Sequence, residues 1–177
     1  MTAPPAAIDL KAWQRNVVLA DGHAVQIRPI RPEDEALYGH FLAAVTPEDA
    51  RMRFLGPMRT LSHAQVDYFT HLDYARAMAF IALDEASGEM LGVARLHDVD
   101  AAAAEYAVIV RSDLKSHGLG WQLMQMTIEY ARGKGLRTMD GKVLYENTTM
   151  LDMCRHLGFH IDSDPGDAAV CNVRLQL

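Results

Sequence analysis

Apolar residues fall in short β-rich runs at the start of the chain, Gln14 to Leu19 and Ala24 to Arg28, with Asp21-Gly22 between them. An Asp-Gly step between two such runs predicts a hairpin. The period then changes. Leu37, Phe41, Leu42 and Val45 form one helical face behind Arg31-Pro32-Glu33-Asp34-Glu35, whose proline and acids suit a first helical turn. Thr46-Pro47-Glu48-Asp49 repeats that start and predicts a short helix to Phe54, broken by Gly56-Pro57. Ser62-His-Ala-Gln65 has the form of a capping box for a third helix ending near Thr70. Strands follow at Met78 to Leu83, Met90 to Leu96 and Glu105 to Val110.

From Gly118 to Arg132 the pattern is helical and strongly one-sided. Gln122, Gln125, Glu129 and Arg132 make one polar stripe, and nearly everything else is apolar. Such a helix shows solvent a narrow edge and packs on a sheet. Its methionines, Met124 and Met126, read as core fillers. Gly133 and Gly135 are expected to end it. Thr138 to Tyr145 reads as strand, Asn147 to Leu157 as a helix stopped by Gly158, and Phe159 to Ile161 and Ala168 to Leu175 as closing strands. The order β-β-α-α-α-β-β-β-α-β-α-β-β predicts an α/β protein, a mixed sheet with helices on its faces.

Between the strand ending at Val110 and the helix opening at Gly118 lies Lys115-Ser116-His117-Gly118-Leu119-Gly120-Trp121. Glycines here permit positive φ and remove side chains that would hold a ligand away. The helix adds the positive end of its dipole. The loop therefore reads as a cradle for a phosphate or pyrophosphate, or as an ordinary Gly-rich turn; a lone Gly-x-Gly does not decide between them.

Size and composition narrow the field. A chain of 177 residues, half of them apolar and 23% charged, fits one globular domain. A net charge of −6 argues against a general nucleic-acid binder and suits a cationic acceptor. Cys154 and Cys171 match no metal-ligand spacing, so no metal is expected. The start of the chain lacks the basic and apolar regions of a signal peptide, and no apolar run approaches the roughly 20 residues a membrane span needs. A cytoplasmic location is the expectation. Residues 1–9 are Pro/Ala-rich and read as loose.

Val108 to Trp121 resembles the acyl-CoA signature of the GNAT superfamily of N-acetyltransferases, Arg/Gln-x-x-Gly-x-Gly/Ala between a strand and a helix. Lys115 stands where Arg or Gln is usual, with Gly118 and Gly120 at the small positions. Asn147 and Gly158-Phe159 resemble the later motif, an Asn that opens a helix ending in Gly-Phe. A narrower resemblance runs through Ile27 to Asp34, Arg53-Phe54, Leu72 to Arg76 and Ala104 to Asp113: these look like the acetyltransferase domain of bacterial Pat-type protein lysine acetyltransferases. The resemblance implies a GNAT fold over residues 24–177, with a central mixed, mostly antiparallel sheet flanked by helices on both faces, and residues 1–23 as a tail and first strand. It implies acetyl-CoA as co-substrate and a primary amine as acceptor, most often a lysine of a protein such as an acyl-CoA synthetase. A small-molecule amine and a catalytically silent acetyl-CoA-binding module are the other readings.

The resemblance also assigns roles. Glu105 matches the glutamate that takes the proton from the acceptor amine. Such a base is needed because a lysine with a pKa of about 10.4 is protonated at neutral pH. Alternation places Glu105 on the strand face of Ala107 and Ile109, an apolar setting expected to raise its pKa; without the family it reads as an exposed strand-end carboxylate. Main-chain groups of Val108 and Val110 would bond the pantetheine arm, and Lys115, Ser116, His117, Gly118, Leu119, Gly120 and Trp121 would hold the pyrophosphate. His117 is expected to be exposed and incidental. Asn147 would bond the pantetheine arm or merely cap its helix. Many members carry a proton-donating Tyr seven residues after that Asn; here the position is Cys154, which shares a helical stripe with Met150 and Leu157 and reads as core.

Overall fold

The computed structural model describes residues 8–57 and 61–177, so most of the loose N-terminal tail expected from the sequence lies outside the described residues. Among the described residues eight strands form one sheet in the order β1-β2-β3-β4-β5-β6-β8-β7. They are β1 (Arg15–Val18), β2 (Ala24–Pro29), β3 (Ala77–Asp84), β4 (Met90–Asp98), β5 (Ala103–Val110), β6 (Thr138–Leu144), β7 (His160–Asp164) and β8 (Asp167–Gln176). Every neighbouring pair is antiparallel except β5 and β6. The mixed, mostly antiparallel sheet expected from the sequence is therefore what forms, and β1 belongs to it as an edge strand.

Helices cover both faces. α4 (Leu119–Lys134) and α5 (Thr148–His156) pack on one, over a core that includes Phe80, Leu96, Leu123, Met124, Met126 and Cys154. α1 (Glu35–Ala43), α2 (Pro47–Phe54) and α3 (His63–Thr70) belong to the other side, where Tyr38, Phe41, Ile81 and Val93 form a second, smaller core. The methionines of α4 are fully inside, with Met124 0% and Met126 2% exposed, as core fillers should be.

Local signals set several element ends. Ser62 Oγ accepts from Gln65 N–H and Gln65 Oε1 accepts from Ser62 N–H, the reciprocal capping box read from the sequence. Thr46 Oγ1 caps α2 in the same way, accepting from Asp49 N–H at 3.2 Å. Two expectations are corrected. Pro32–Asp34 forms a 3₁₀ turn rather than the first turn of α1. Asp34 is buried there and holds the Arg28 guanidinium through two bonds of 2.6 and 2.8 Å, so its carboxylate serves a buried ion pair, not a solvated helix start. Gly133 lies inside α4, which runs on to Lys134; only Gly135, at φ +85°, turns the chain out.

Candidate active site

The sheet opens at the one parallel pair. β5 and β6 are in register only at Ala103–Thr138, Ala104–Met139 and Glu105–Asp140. Beyond Glu105 the two strands part, while β5 stays paired with β4 as far as Val110–Gly92. Backbone groups along a strand point alternately to its two neighbours. Arg111 N–H bonds Leu91 O on β4, and Ala102 O accepts from Arg137 and Thr138 beside β6. By that alternation Tyr106, Val108 and Val110 turn their N–H and C=O groups toward β6, where no strand meets them. A backbone donor without a partner is costly when buried, so this gap has room and hydrogen-bonding groups for an extended ligand carrying amide groups.

A cavity of about 970 Å³ fills the gap. Its walls include Glu105, Val108, Val110, Lys115, Ser116, Gly118, Gly120, Trp121 and Asn147, nine of the eleven residues assigned from the sequence. The two that stand apart are His117 and Leu119. Leu119 is 1% exposed in the core and has only its backbone to offer. His117 turns its Nδ1 toward Asp21 of the β1–β2 hairpin, 3.8 Å away, with no hydrogen-bond partner on that nitrogen.

The loop before α4 has the geometry of an anion cradle. Gly118 takes φ +88° and Ser116 φ +67°, the latter an unusual conformation for a residue with a side chain. Among the described residues no side chain caps α4, and Gly118, Gly120 and Trp121 at its start line the cavity. Gly120 differs from the expectation. Its φ is ordinary, and an added Cβ would meet only Met153 Cε, at 3.9 Å. Its value lies in leaving space open beside the helix end, not in backbone freedom. Lys115 is also placed differently. Its Nζ bonds Asp49 of α2, which in turn accepts from Ser112 Oγ, so the charge expected on a phosphate is held by a carboxylate.

At the other end of the cavity stands Glu105. It is exposed, and its surroundings are not the apolar ones expected. Its partner across β4 is His97 and across β6 Asp140, while Arg95 faces Ala107 two residues on. Alternation along one strand names the face; it does not name what neighbouring strands add to it. Arg53, Arg95, Tyr68 and His71 complete this end. Burial, and then the nearby charge of Arg95, push the Arg53 guanidinium down to about 10, and Glu105 acts on it weakly in the opposite sense. Neither Arg53 nor Arg95 was assigned a role from the sequence, although Arg53 belongs to a motif quoted above.

Asn147 lines the cavity, but its Oδ1 accepts from Met150 N–H at 3.2 Å and caps α5; only its amide nitrogen is left for a ligand. Cys154 is 0% exposed and does not reach the cavity. Its Sγ lies 3.2 Å from the Tyr106 hydroxyl, which crosses beneath the sheet. Burial and this neighbour raise the Tyr106 phenol well above its ordinary value, and burial raises the Cys154 thiol. Gly141 makes room for the tyrosine: a Cβ there would sit 2.5 Å from the ring.

A strand left half-paired, with an uncapped helix behind a Gly-rich loop, is the arrangement that the GNAT resemblance implies for an acyl-CoA-binding transferase. Comparison with known proteins gives the same answer. A sequence model described as the acetyltransferase (GNAT) family matches residues 48–159. An acetyltransferase of Pseudomonas aeruginosa is 34% identical over 97% of this chain and 93% of its own length. An L-methionine sulfoximine/L-methionine sulfone acetyltransferase of the same species is 36% identical over 46% of this chain and 50% of its own. Among solved structures, the GNAT domain of S. lividans PAT aligns over 99% of this chain and 100% of its own, with TM-score 0.86 and 26% identity. An acetyltransferase of Salmonella typhimurium with acetyl-CoA bound shares the fold, at TM-score 0.68 and 18% identity over 86% of this chain and 94% of its own. The chain belongs to the GNAT family of acetyltransferases.

Among the described residues no group of three or more His, Cys, Asp and Glu side chains is placed to hold a metal ion. Among the described residues no helix is long and apolar enough to cross a membrane.

Proposed function

We propose that the protein moves the acetyl group of acetyl-CoA directly to a primary amine, most readily a lysine side chain of a protein such as an acyl-CoA synthetase, with Glu105 as general base. Residues 24–177 serve as the catalytic domain in this reading. One observation carries it: the carboxylate of Glu105 stands where β5 leaves β6, at the inner end of the row of free backbone groups at Val108 and Val110. Those groups suit the amides of a pantetheine arm, and the uncapped start of α4 suits a pyrophosphate. When bound, acetyl-CoA supplies the activated acyl carbon.

The protein's own residues then do three things. The gap between β5 and β6 fixes the thioester end beside Glu105. Glu105, directly or through one water, takes the proton that the ammonium must lose before its nitrogen attacks the carbonyl carbon. The N–C bond forms, the nitrogen gives up its second proton as the C–S bond breaks and the thiolate departs, and both protons leave toward solvent through this exposed carboxylate. Cys154 is buried away from the cavity, so the thiolate leaves without a proton from that side chain. The lysine preference rests on the similarity over nearly the whole chain to the GNAT domain of S. lividans PAT. Purified protein, labelled acetyl-CoA, a set of acyl-CoA synthetases and a panel of small amines test it: label on a synthetase lysine supports the preference, and label only on small amines rejects it.

A further inference from the structure

The acceptor end of the cavity holds two half-buried guanidinium groups that form no ion pair among the described residues; Arg76, also unpaired there, is exposed. Arg15, Arg28, Arg51, Arg111, Arg155 and Arg174 each bind a carboxylate. Arg53 and Arg95 bind none among the described residues. Arg95 spends one nitrogen on Phe69 O at 2.9 Å and Tyr38 Oη at 3.3 Å, and its plane lies over the Phe69 ring. Arg53 lies over the Phe54 ring, 4.7 Å from its centre, and meets no hydrogen-bond acceptor among the described residues. Both are half-buried and both face the cavity. Two like charges held close, partly out of water and unpaired, disfavour each other. Burial first, and then the charge of Arg95, lower the pKa of Arg53. Neither forms an ion pair among the described residues, although Glu105 lies near enough to act weakly on Arg53, and Arg95 is fixed by two hydrogen bonds and a ring. Such a pair is complete only when an anion sits between its members.

We infer that Arg53 and Arg95 form a subsite for a carboxylate carried by the acceptor a few ångströms from its reacting amine. This rests on the acetyl-transfer reading above and adds the acceptor's second recognition element. The amine goes to Glu105 and the carboxylate to the arginines, so the acceptor is a zwitterion or an acid-flanked lysine rather than a simple amine. Either source supplies the same chemistry: the α-carboxylate of a free amino acid, or the side chain of an acidic residue next to a target lysine.

Three measurements test the subsite. In the first, free amino acids are compared with their carboxamides. In the second, lysine peptides flanked by glutamate are compared with the same peptides flanked by glutamine. Both read kcat/KM by release of CoA thiol. The carboxylate member is expected to be favoured by about tenfold or more. That ratio should fall toward one in Arg53→Gln and in Arg95→Gln, and be partly kept in Arg95→Lys. The arm that shows the preference identifies the source. A wild-type ratio near one in every pair that turns over overturns the subsite, as does a ratio that survives both glutamine variants. The third measurement needs no turnover. Calorimetry should show glutarate binding to the CoA-saturated protein, retained in Glu105→Gln and lost in folded Arg53→Gln. No binding to the wild type, or equal binding to Arg53→Gln, overturns the inference. Full rates in Glu105→Gln with the ratio intact would instead reject the base assignment alone.

Discussion

The two ends of the cavity are built in different ways. The end proposed for the cofactor is made of backbone: the groups of Val108 and Val110 that face away from β4, the left-handed turn at Gly118 and the uncapped start of α4. All of it falls within one short stretch of chain. The acceptor end is made of side chains from α2, α3, β4 and β5, brought together only by the folded sheet. A backbone site tolerates most substitutions but not a change of conformation or of free space. A side-chain site is the reverse: one changed functional group removes its chemistry and leaves the fold alone. This contrast explains how one family keeps a common co-substrate while its members take different acceptors.

The largest effect is expected at the acceptor end. Glu105→Gln keeps the shape and removes the proton acceptor. General-base catalysis is worth about 10²–10⁴-fold, so kcat should fall by that much with CoA affinity retained. The loss should shrink as pH rises toward the pKa of the amine, because the neutral acceptor then forms without help. A rate at pH 7 equal to wild type would move the base to another group.

At the cofactor end the corresponding test adds a side chain where the backbone has left room. Space beside Gly120 is open, so Gly120→Asp should fold, and its carboxylate would stand where the pyrophosphate is placed. Affinity for CoA should drop by about tenfold or more, since a like charge near a bound anion costs more than 1 kcal/mol at short range. Calorimetry on the folded variant reads this, and unchanged affinity would break the assignment.

Cys154→Ala sharpens the comparison from outside it. Cys154 lies under the sheet, in neither end, and is the partner of the Tyr106 hydroxyl. Its removal leaves a small void and a buried hydroxyl without a partner, together about 1–3 kcal/mol of stability. The melting temperature should fall while kcat stays within a few-fold. A loss of kcat beyond tenfold in a well-folded variant would make this thiol part of the chemistry. The smallest effect belongs to Lys115. With its ammonium on Asp49, Asp49→Asn should free it for the cofactor and change CoA affinity only a few-fold, because an exposed pair is worth about 1 kcal/mol or less.

The same contrast marks what could be read before folding. The strands, the capping box at Ser62 and Gln65, and the loop before α4 follow from neighbours in sequence, and all three are in the structure. So does the apolar buried face of α4. What was not legible depends on distant residues. Asp34 looked like a helix-start acid until Arg28 closed on it. Lys115 looked like a phosphate ligand until α2 brought Asp49 to it. Glu105 was placed on the right face, but His97 and Asp140 make that face polar, and only strand register reveals them. Arg53 and Arg95 are 42 positions apart by their numbers and carry no spacing signal. No local pattern announces that they line one end of the same cavity.

A crystal structure with acetyl-CoA bound tests the central claim most directly. The account predicts the pantetheine arm bonded to the main chain of Val108 and Val110, the pyrophosphate against residues 116–121, and the thioester carbon within reach of the Glu105 carboxylate through one water. A pyrophosphate seated away from the start of α4, or a thioester more than about 7 Å from Glu105 and thus beyond a single bridging water, would contradict it.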